Sequence, residues 1–352
     1  MTMNDNIIHP LRIGNVELKN NLILAPMAGV TDISYRPLCI EKGAAMTVME
    51  MVSAKAITYN NKKTLDMLLT EPSEKPISLQ IFGSEPSIMS EAVKKLEEYP
   101  FDIIDINMGC PVNKIVNNNE GSALMKDPIL VGKIVESVVN STKKPVTVKI
   151  RAGFSNENLN APEIAKVIEE SGAKAVAVHG RTREQMYRGK ARLDIIRKVK
   201  ESVKIPVLGN GDLRSGDDVE NMYDKTHCDG FLIARGALGN PWVFKEIIDY
   251  CKNHTIDKRP SFDEIMEMIL VHTKRLIHYK NDENMAIREM RKHVAYYTAG
   301  IRNSSHIRGK LNYVETLKEL TELLNECKVH IEESSLTSVS YTHLTLPTKR
   351  IV

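Results

Sequence analysis

The sequence predicts an α/β fold, a (β/α)8 (TIM) barrel that is followed by a smaller all-helical domain. Eight short apolar runs rich in β-branched residues recur in the first two thirds of the 352-residue chain, at 22–26, 46–50, 77–81, 103–107, 146–151, 175–179, 206–210 and 230–234. Beyond residue 244 the sequence keeps a helical period and shows no convincing strand. We therefore expect a barrel domain over 1–244 and a helical domain over 245–332.

Several segments between the runs have the period of amphipathic helices. Residues 84–99 and 160–173 both begin with residues that favour helix N-termini, and the second segment has Gly172 at its end, just before Ala173. Near-continuous apolar strands that alternate with such helices are typical of a parallel sheet covered on both faces. Eight such units match a closed barrel. A doubly wound open sheet shares this alternation and stays open as an alternative.

A closed barrel brings the carboxyl ends of its strands together on one face, where active sites lie. In this sequence polar residues recur at those ends together with a few glycines and small or apolar residues, although a polar side chain in an apolar strand is costly unless it is paired. They are Pro26, Met27 and Ala28 after the first strand, Gln80 in the third, Asn107 and Cys110 at the fourth, Lys149 and Arg151 at the fifth, His179 at the sixth, Asn210, Gly211 and Asp212 at the seventh, and Ala234 and Arg235 at the eighth. We expect these residues to form one site.

The composition narrows the class of protein. The chain has 48 basic and 45 acidic residues, so its net charge of +3 does not by itself indicate a nucleic acid partner. No apolar stretch approaches the roughly 18 residues of a membrane span, and the N-terminus has no pattern of an export signal. The five cysteines form no CxxC pair and no zinc spacing, and an odd number of scattered thiols suits a reducing compartment. We expect a cytoplasmic monomer without a metal or an obligate protein partner.

The strand-end residues allow more than one interpretation when each is taken alone. Lys149 needs an anionic partner unless it extends past the barrel rim, His179 could be a core histidine, and Gln80 could cap a strand. The glycines at 210–212 and 234–240 could belong to ordinary turns, but loops after the seventh and eighth barrel strands commonly bind phosphate. FMN at this end would account for all of them. It needs a phosphate site, donors and acceptors for its ring edge, and a cation that stabilises the reduced ring. No GxGxxG stands between a strand and a helix, so a resident NAD site is not expected.

The helical domain carries a local excess of basic residues. Between 285 and 310 a single acid, Glu289, stands among Arg288, Arg291, Lys292, Arg302, Arg308 and Lys310, with Tyr296 and Tyr297 between them. Such a run is either a solvated helix face or a surface for a nucleic acid backbone. The remaining segment, 333–352, is rich in Ser and Thr without a helical period, and we expect a disordered, non-native tail.

The chain resembles the tRNA-dihydrouridine synthases, closest to the bacterial B subgroup, from about Pro10 into the 320s. The motifs that carry the resemblance are APMAGVTD (25–32), DINMGCPVNKIV (105–116), EGSALM (120–125), VTVKIRAG (146–153), VHGRTREQMYRGKA (178–191), GNGD (209–212) and ARGALGNPWVF (234–244). The resemblance implies an FMN-bearing barrel and a helical tRNA-binding domain. It also implies an oxidoreductase that uses NADPH as a diffusible reductant to reduce the C5–C6 bond of D-loop uridines.

The resemblance assigns roles to individual residues. Cys110 stands where the family has a cysteine that protonates C5 of the uracil while reduced flavin delivers hydride to C6. Asn107 and Arg151 match positions expected to touch the uridine, and Arg288, Arg291 and Lys292 are expected to bind tRNA. The flavin contacts carry over to Pro26, Met27, Ala28, Gln80, Lys149, His179, Asn210, Gly211, Asp212, Ala234 and Arg235. Two positions depart from the usual family glycine, Asn119 and Ala234, which puts the fine geometry of their loops in doubt.

Two other functions fit parts of the sequence. An FMN-dependent barrel reductase of a small pyrimidine, similar to dihydroorotate dehydrogenase, would need the barrel but not the basic helical domain. A tRNA-binding relative without turnover would need both domains, but the intact Cys110 and Lys149 argue against it.

Overall fold

The structure is a computed structural model that describes residues 7–255, 259–301 and 304–340. Its strands are β1 Leu11–Ile13, β2 Val16–Leu18, β3 Leu22–Leu24, β4 Met46–Val48, β5 Val52–Ser53, β6 Ile77–Phe82, β7 Ile103–Met108, β8 Val146–Arg151, β9 Ala175–His179, β10 Val207–Asn210 and β11 Gly230–Ile233. Its α-helices are α1 Arg36–Glu41, α2 Ala54–Thr58, α3 Lys62–Asp66, α4 Pro86–Leu96, α5 Asn113–Val116, α6 Pro128–Val139, α7 Ala161–Glu170, α8 Leu193–Ser202, α9 Gly216–Thr226, α10 Val243–Asn253, α11 Phe262–Lys280, α12 Glu283–Tyr297, α13 Ser305–Lys310 and α14 Leu317–Ser340.

Eight parallel strands close into a barrel. Strands β3 and β4 pair, β4 pairs with β6, and the order continues through β7, β8, β9 and β10 to β11, which pairs back with β3. The short β5 pairs with β6 beyond the end of β4. The predicted barrel is therefore confirmed, and the doubly wound open sheet is wrong, because the pairing of β11 with β3 leaves no open edge.

An antiparallel hairpin, β1–β2, packs against the amino-terminal end of the barrel. Its residues Leu11, Ile13 and Leu18 belong to the same buried cluster as inward-facing residues near the amino ends of the barrel strands, among them Ile23 and Ile103. The hairpin was not predicted. Its apolar side chains thus extend the buried core at this end of the barrel.

By compactness the chain divides into two units, residues 1–257 and 258–352. The division predicted after residue 244 falls inside α10, which belongs to the first unit. In the second unit, α11 begins at the capping box of Ser261 and Glu264, and it packs against α12 and α14. In the described residues no helix is both long enough and apolar enough to cross a membrane.

The segment 333–352, which we expected to be disordered, is helical over its first part. Helix α14 continues to Ser340, and residues 341–352 lie outside the described residues. No proline or glycine occurs between Leu317 and Ser340, so the helix started by the amphipathic part of α14 can continue through the Ser/Thr-rich residues.

Candidate active site at the carboxyl end of the barrel

The strand register places the predicted site residues of neighbouring strands on two adjacent levels at the same end of the barrel. Asn107 on β7 is the register partner of Lys149 on β8, and Arg151 is the partner of His179 on β9. His179 is in turn the partner of Asn210 on β10. The residues predicted on β7 to β10 therefore share the carboxyl end of the barrel, although Asn107 and Asn210 lie far apart in the sequence.

Cys110 is half-buried just beyond β7, and hydrogen bonds hold its backbone on both sides. Its N–H donates to Asn107 Oδ1 at 2.9 Å, and the N–H of Gly109 donates to the same oxygen at 3.2 Å. Its carbonyl oxygen accepts from the N–H of Ser122 at 3.1 Å and from Ser122 Oγ at 2.8 Å. The thiol is therefore carried by a segment whose direction is fixed at the end of the strand.

The loop that returns to Cys110 approaches it too closely for any side chain at residue 121. Gly121 has φ +59°, and a Cβ there would lie 2.9 Å from the Cys110 carbonyl oxygen and 2.9 Å from Ile115 Cγ2. Asn119, which departs from the family glycine, has φ +58°. Asparagine tolerates this left-handed conformation better than most residues, so the departure is compatible with the turn.

Burial raises the pKa of the Cys110 thiol above its ordinary value. A hydrogen bond from the backbone of Val112 and the positive charges of Arg151 and Lys149 act in the opposite direction without cancelling the rise. The thiol is therefore protonated at neutral pH and can serve as an acid rather than as a nucleophile.

Lys149 lies beside this thiol with no hydrogen bond or ion pair among the residues that the structure describes. Burial, followed by repulsion from Arg151, lowers the pKa of its ammonium to about 8, and Asp105 opposes this decrease. Its register partner on β9 is the small Ala177, which leaves space next to the lysine stem. A partly buried cation without a partner fits an anionic ligand at this end of the barrel.

His179 is a second group with an unmet hydrogen bond. Its side chain is buried, and Nδ1 has no hydrogen-bond partner in the described structure. Burial, and then the positive charge of Lys149, hold its pKa well below the ordinary value, so the imidazole is neutral at pH 7. A neutral imidazole can donate or accept one further hydrogen bond from a ligand.

Arg151 ties the loops after β7 and β9 together. Nε donates to the carbonyl of Gly109 at 2.7 Å, and Nη1 donates to the carbonyls of Thr182 and Met186, each at 2.9 Å. The side chain is buried, at 4% exposure. The contact of Arg151 with a substrate stays a prediction, and the described hydrogen bonds of its side chain all go to backbone carbonyls of the protein.

The loops after β9, β10 and β11 meet at Asp212. Its carboxylate accepts two hydrogen bonds from Arg181 Nη2 at 2.8 Å, one from the N–H of Ala191 at 2.8 Å and one from Arg235 Nη2 at 3.1 Å. Burial alone would raise the pKa of Asp212, but the bonds from Arg181 and Ala191 lower it below the ordinary value. The carboxylate thus stays ionised and holds Arg235, whose guanidinium also lies 5.5 Å from the ring of Tyr187.

These strand-end loops have the features that a flavin phosphate needs. The N–H groups of Gly211 and Asp212 donate to no backbone carbonyl of the described chain, and Gly211 has φ +124°. A Cβ at Gly211 would lie 2.7 Å from Ala191 Cβ, so only glycine fits. An open pocket of about 680 Å³ lies alongside, lined on one side by Arg181, Asp212 and Arg235. Together with Lys149 and His179, these groups fit a phosphorylated planar cofactor.

The other predicted contacts surround this region. Pro26 and Met27 are half-buried after β3 and Ala28 is exposed, whereas Gln80 and Asn210 are buried inside the barrel. Asn210 Nδ2 donates to the carbonyl of Leu232 at 2.8 Å. Ala234 follows β11 directly and precedes the short 3-10 turn Arg235–Ala237.

The sequence did not identify Asp105, Ser122 and Thr147 as residues that build the site, nor did it show that Arg181, at the end of the sixth strand, is the main partner of Asp212. Asp105 and Thr147 are polar residues inside buried strands, and that signal could have identified them. The partners of Ser122 and Arg181 depend on how loops return to the barrel, which no local pattern shows.

Comparison with known proteins decides the family. Residues 23–335 match the family described as Dihydrouridine synthase (Dus). The chain belongs to the dihydrouridine synthase family. This confirms the resemblance predicted from the motifs, and with it the enzyme class, an oxidoreductase that acts on a CH–CH bond with NAD(P).

Two relatives within the family are similar over nearly their whole lengths. A probable tRNA-dihydrouridine synthase of Rickettsia conorii is 39% identical over 326 residues, which are 92% of this chain and 98% of that protein. The tRNA-dihydrouridine synthase B of Pseudomonas putida is 42% identical over 305 residues, 87% of this chain and 90% of that protein.

Solved structures support the fold alone. An old yellow enzyme homologue from Zymomonas mobilis superimposes with a TM-score of 0.52 at 13% identity, over 71% of this chain and 93% of that one. Histamine dehydrogenase from Rhizobium sp. 4-9 gives a TM-score of 0.54 at 15% identity, over 78% of this chain. The chain spans about half of the dehydrogenase, 51% of its length.

Proposed function

We propose that the protein is a tRNA-dihydrouridine synthase, which holds FMN at the carboxyl end of the barrel and uses NADPH to reduce the C5–C6 bond of uridines in the tRNA D-loop. The observation that carries the proposal is that, in a chain of this family, Cys110 follows β7 and Lys149 lies near the carboxyl end of the neighbouring strand β8. Burial keeps the thiol protonated, and the ammonium of Lys149 has no hydrogen-bond or ion-pair partner among the described residues.

The residues of the chain divide between holding the cofactor and moving a proton. Lys149 and His179 would bind the ring, and the N–H groups of Gly211 and Asp212 would bind the phosphate. When bound, FMN supplies the hydride that is added to C6 of the uracil. The ammonium of Lys149 would stabilise negative charge on the ring of the bound cofactor.

Cys110 completes the reduction by giving the proton on Sγ to C5 of the uracil. The C5–C6 double bond is lost, one new C–H bond forms at each carbon, and the thiolate left behind is reprotonated from solvent. The bonds from Asn107 Oδ1 and Ser122 to the backbone of Cys110 keep the thiol in one place, as a positioned acid requires.

The proposal is tested with the full-length protein purified with its flavin. We expect stoichiometric FMN, slow NADPH oxidation without RNA, and fast oxidation with an unmodified tRNA transcript that then contains dihydrouridine by mass spectrometry. A transcript whose D-loop uridines are replaced by cytidines should not stimulate the reaction. Release of a different flavin, or equal turnover with free uracil or orotate and with tRNA, would favour a small-molecule reductase instead.

A further inference from the structure

A chain of buried side-chain hydrogen bonds leads from the backbone of Cys110 into the barrel. Asn107 Oδ1 accepts from the N–H of Cys110, and Asn107 Nδ2 donates to Gln80 Oε1 at 2.8 Å. Gln80 Nε2 donates to Asp105 Oδ2 at 2.6 Å, and Thr147 Oγ1 donates to Asp105 Oδ1 at 2.5 Å. Three neighbouring strands, β6, β7 and β8, thus contribute to one connected chain that ends at the backbone N–H of Cys110.

The direction of every bond up to Asp105 follows from chemistry rather than from the assignment of amide atoms. Two backbone N–H groups, of Gly109 and Cys110, face one atom of Asn107, which must therefore be its oxygen. The Asn107 amide nitrogen must then face an acceptor, so Gln80 presents its oxygen to Asn107 and its nitrogen to Asp105. An acceptor is needed at that point, and a carboxylate oxygen is one in either protonation state.

Burial makes it costly to break the hydrogen bonds that link Asp105, Gln80 and Asn107. Gln80 is 1% exposed, Asp105 5% and Asn107 7%, so water does not readily replace a lost partner. A buried donor left without an acceptor costs roughly 1–3 kcal/mol. Burial raises the pKa of Asp105, and the bonds from Gln80 and Thr147 oppose the rise. No other donor among the described residues bonds to this carboxyl group.

We propose that Asp105 is a positioning residue for Cys110. This inference rests on the proposed function, in which Cys110 is the proton donor. The carboxyl group fixes the orientation of the Gln80 amide, which fixes the Asn107 amide, which in turn presents an oxygen to the Cys110 N–H. Without that acceptor the Gln80 amide is free to turn over. The amide nitrogens of Gln80 and Asn107 would then face each other, which is unfavourable. Asn107 therefore loses its preference for the orientation in which its oxygen accepts from the Cys110 N–H.

The proposal predicts that the position of Cys110 depends on a hydrogen-bond acceptor at residue 105 and not on the charge of that residue. In Asp105→Asn the new amide oxygen can accept from Gln80 while its nitrogen donates to Thr147, whose hydroxyl can reverse its role. Asp105→Leu removes the acceptor at similar volume. Asp105→Ala removes it with less risk of strain, because a water molecule in the freed space can either donate or accept and so no longer imposes a direction.

The test measures both half-reactions of the flavin-loaded protein by stopped flow. For Asp105→Leu and Asp105→Ala, we expect reduction by NADPH at the wild-type rate and reoxidation by tRNA slowed about 10–100-fold, because a misplacement of about 1 Å costs on this order. Asp105→Asn should stay within about threefold of wild type. The matched control is Ser78→Ala, which alters another buried polar residue of β6 whose hydroxyl has no described partner.

Two further readouts separate positioning from a general structural role. In a Cys110→Ala background, Asp105→Ala should cause no further slowing, since residues that act through one group are not additive. Hydrogen exchange of the peptide that contains Gly109 and Cys110 should be faster in Asp105→Ala than in wild type or Asp105→Asn. This exchange measurement needs no tRNA, so it remains valid even where the proposed function fails.

Several outcomes would overturn the proposal. Wild-type reoxidation and exchange in Asp105→Ala would show that the carboxyl group does not hold Cys110. Additive slowing in the Cys110→Ala background, or equal slowing of both half-reactions, would show a role in the fold or the cofactor site. Loss of flavin from both acceptor-free variants but not from Asp105→Asn would count against it in the same way. A wild-type protein that ignores tRNA, with the expected exchange pattern, would instead overturn the proposed function alone.

Discussion

Ser122 binds the carbonyl oxygen of Cys110 twice, through its N–H at 3.1 Å and through Oγ at 2.8 Å. The two residues lie twelve positions apart, and the loop between them leaves the barrel and returns to the point where it started. Because Ser122 is fully buried, its hydroxyl has no water to bond to instead. The geometry of the proposed acid therefore depends on a residue that would not itself touch substrate.

Ser122→Ala removes one of these two bonds and keeps the other. We expect the free energy of unfolding to fall by about 0.5–1.5 kcal/mol. The tRNA-dependent reoxidation of the flavin should slow by up to about tenfold, because the Cys110 carbonyl is held less firmly. Stopped flow and thermal unfolding measure the two effects. Ser137→Ala is the control, since its hydroxyl makes a similar bond to the carbonyl of Pro86 away from the site, and it should leave reoxidation unchanged.

The lowered pKa of Lys149 predicts a pH dependence of FMN binding to flavin-free protein. Burial favours the neutral amine in the folded protein, with a pKa of about 8. The free energy of unfolding of flavin-free protein should therefore rise between about pH 8 and pH 10.4, where the unfolded chain binds the extra proton. FMN needs the charged form, so its affinity should be highest below pH 8 and fall above it. Titration followed by flavin fluorescence at several pH values measures this.

Substitutions at Lys149 give the controls for that dependence. Lys149→Arg should make the affinity nearly flat from pH 7 to 9.5, because a guanidinium keeps its charge there. Lys149→Met should weaken binding at pH 7 and also remove the dependence. Lys144→Met alters a lysine at the opposite end of β8 whose pKa burial also lowers, and it should change nothing. A wild-type affinity that does not vary across pH 8 would place Lys149 outside the flavin site.

The helical unit presents two of the three basic residues that we expected to bind tRNA. Arg288 and Lys292 are exposed on one face of α12, with the exposed Met285 and Tyr296 at helical spacing on either side. Arg291 is half-buried, and its Nη2 donates to the carbonyl of Val314 at 2.8 Å. The expected set therefore divides into a surface pair and a residue with a bond inside the unit.

Reversing the charge of the surface pair should weaken tRNA binding. For Arg288→Glu combined with Lys292→Glu, we expect a lower affinity and a salt dependence reduced by up to roughly two phosphate contacts. Arg291→Ala should instead lower the melting temperature. Filter binding at several salt concentrations, together with thermal unfolding, separates these effects. Lys318→Glu, on an exposed position of α14, controls for net charge, and unaltered affinity in the double variant would make the surface pair an ordinary solvated face.

The barrel strands could be predicted because each one is a continuous apolar run. The predicted run at 146–151 coincides with β8, and the run at 175–179 coincides with β9. The predicted first strand was too long by two residues, since Ala25 and Pro26 already belong to the loop. The hairpin β1–β2 was missed although Gly14-Asn15 is a typical two-residue turn, because its strands have only three residues each.

The sequence could predict which residues lie at the carboxyl ends of the strands, but not which partners their side chains bond to. The sequence shows that Cys110 follows one strand and that Lys149 lies near the end of the next, and a barrel brings such ends together. It does not show which partners arginines bond to, because a guanidinium has five donors that suit backbone carbonyls as well as phosphates. Arg151 was predicted to contact the substrate from the family resemblance, and Arg291 to contact tRNA from the basic run; both stay predictions, and the structure adds that their side chains donate to backbone carbonyls.

A buried ion pair that no local sequence pattern shows joins the segment after β3 to the segment before β6. Arg36 Nε donates to Glu74 Oε2 at 2.5 Å, and the two side chains are 1% and 0% exposed. Glu74→Gln leaves the guanidinium buried without its counter-charge, so we expect a loss of about 3–5 kcal/mol in the free energy of unfolding. Urea denaturation measures it. Glu91→Gln, which breaks the exposed pair with Lys95, should cost at most about 1 kcal/mol.

Replacement of Cys110 gives the most direct test of the chemistry. Cys110→Ala should keep its FMN and be reduced by NADPH at the wild-type rate, because these steps involve the cofactor and not the thiol. Reoxidation by tRNA should slow by about 10²–10⁴-fold, the usual contribution of a positioned general acid. Cys110→Ser should be nearly as slow, since a hydroxyl is a far weaker acid than a thiol. Cys251→Ala, which removes another partly buried thiol, is the control and should behave as wild type. If both Cys110 variants reoxidise at the wild-type rate while binding tRNA, the proton comes from another group.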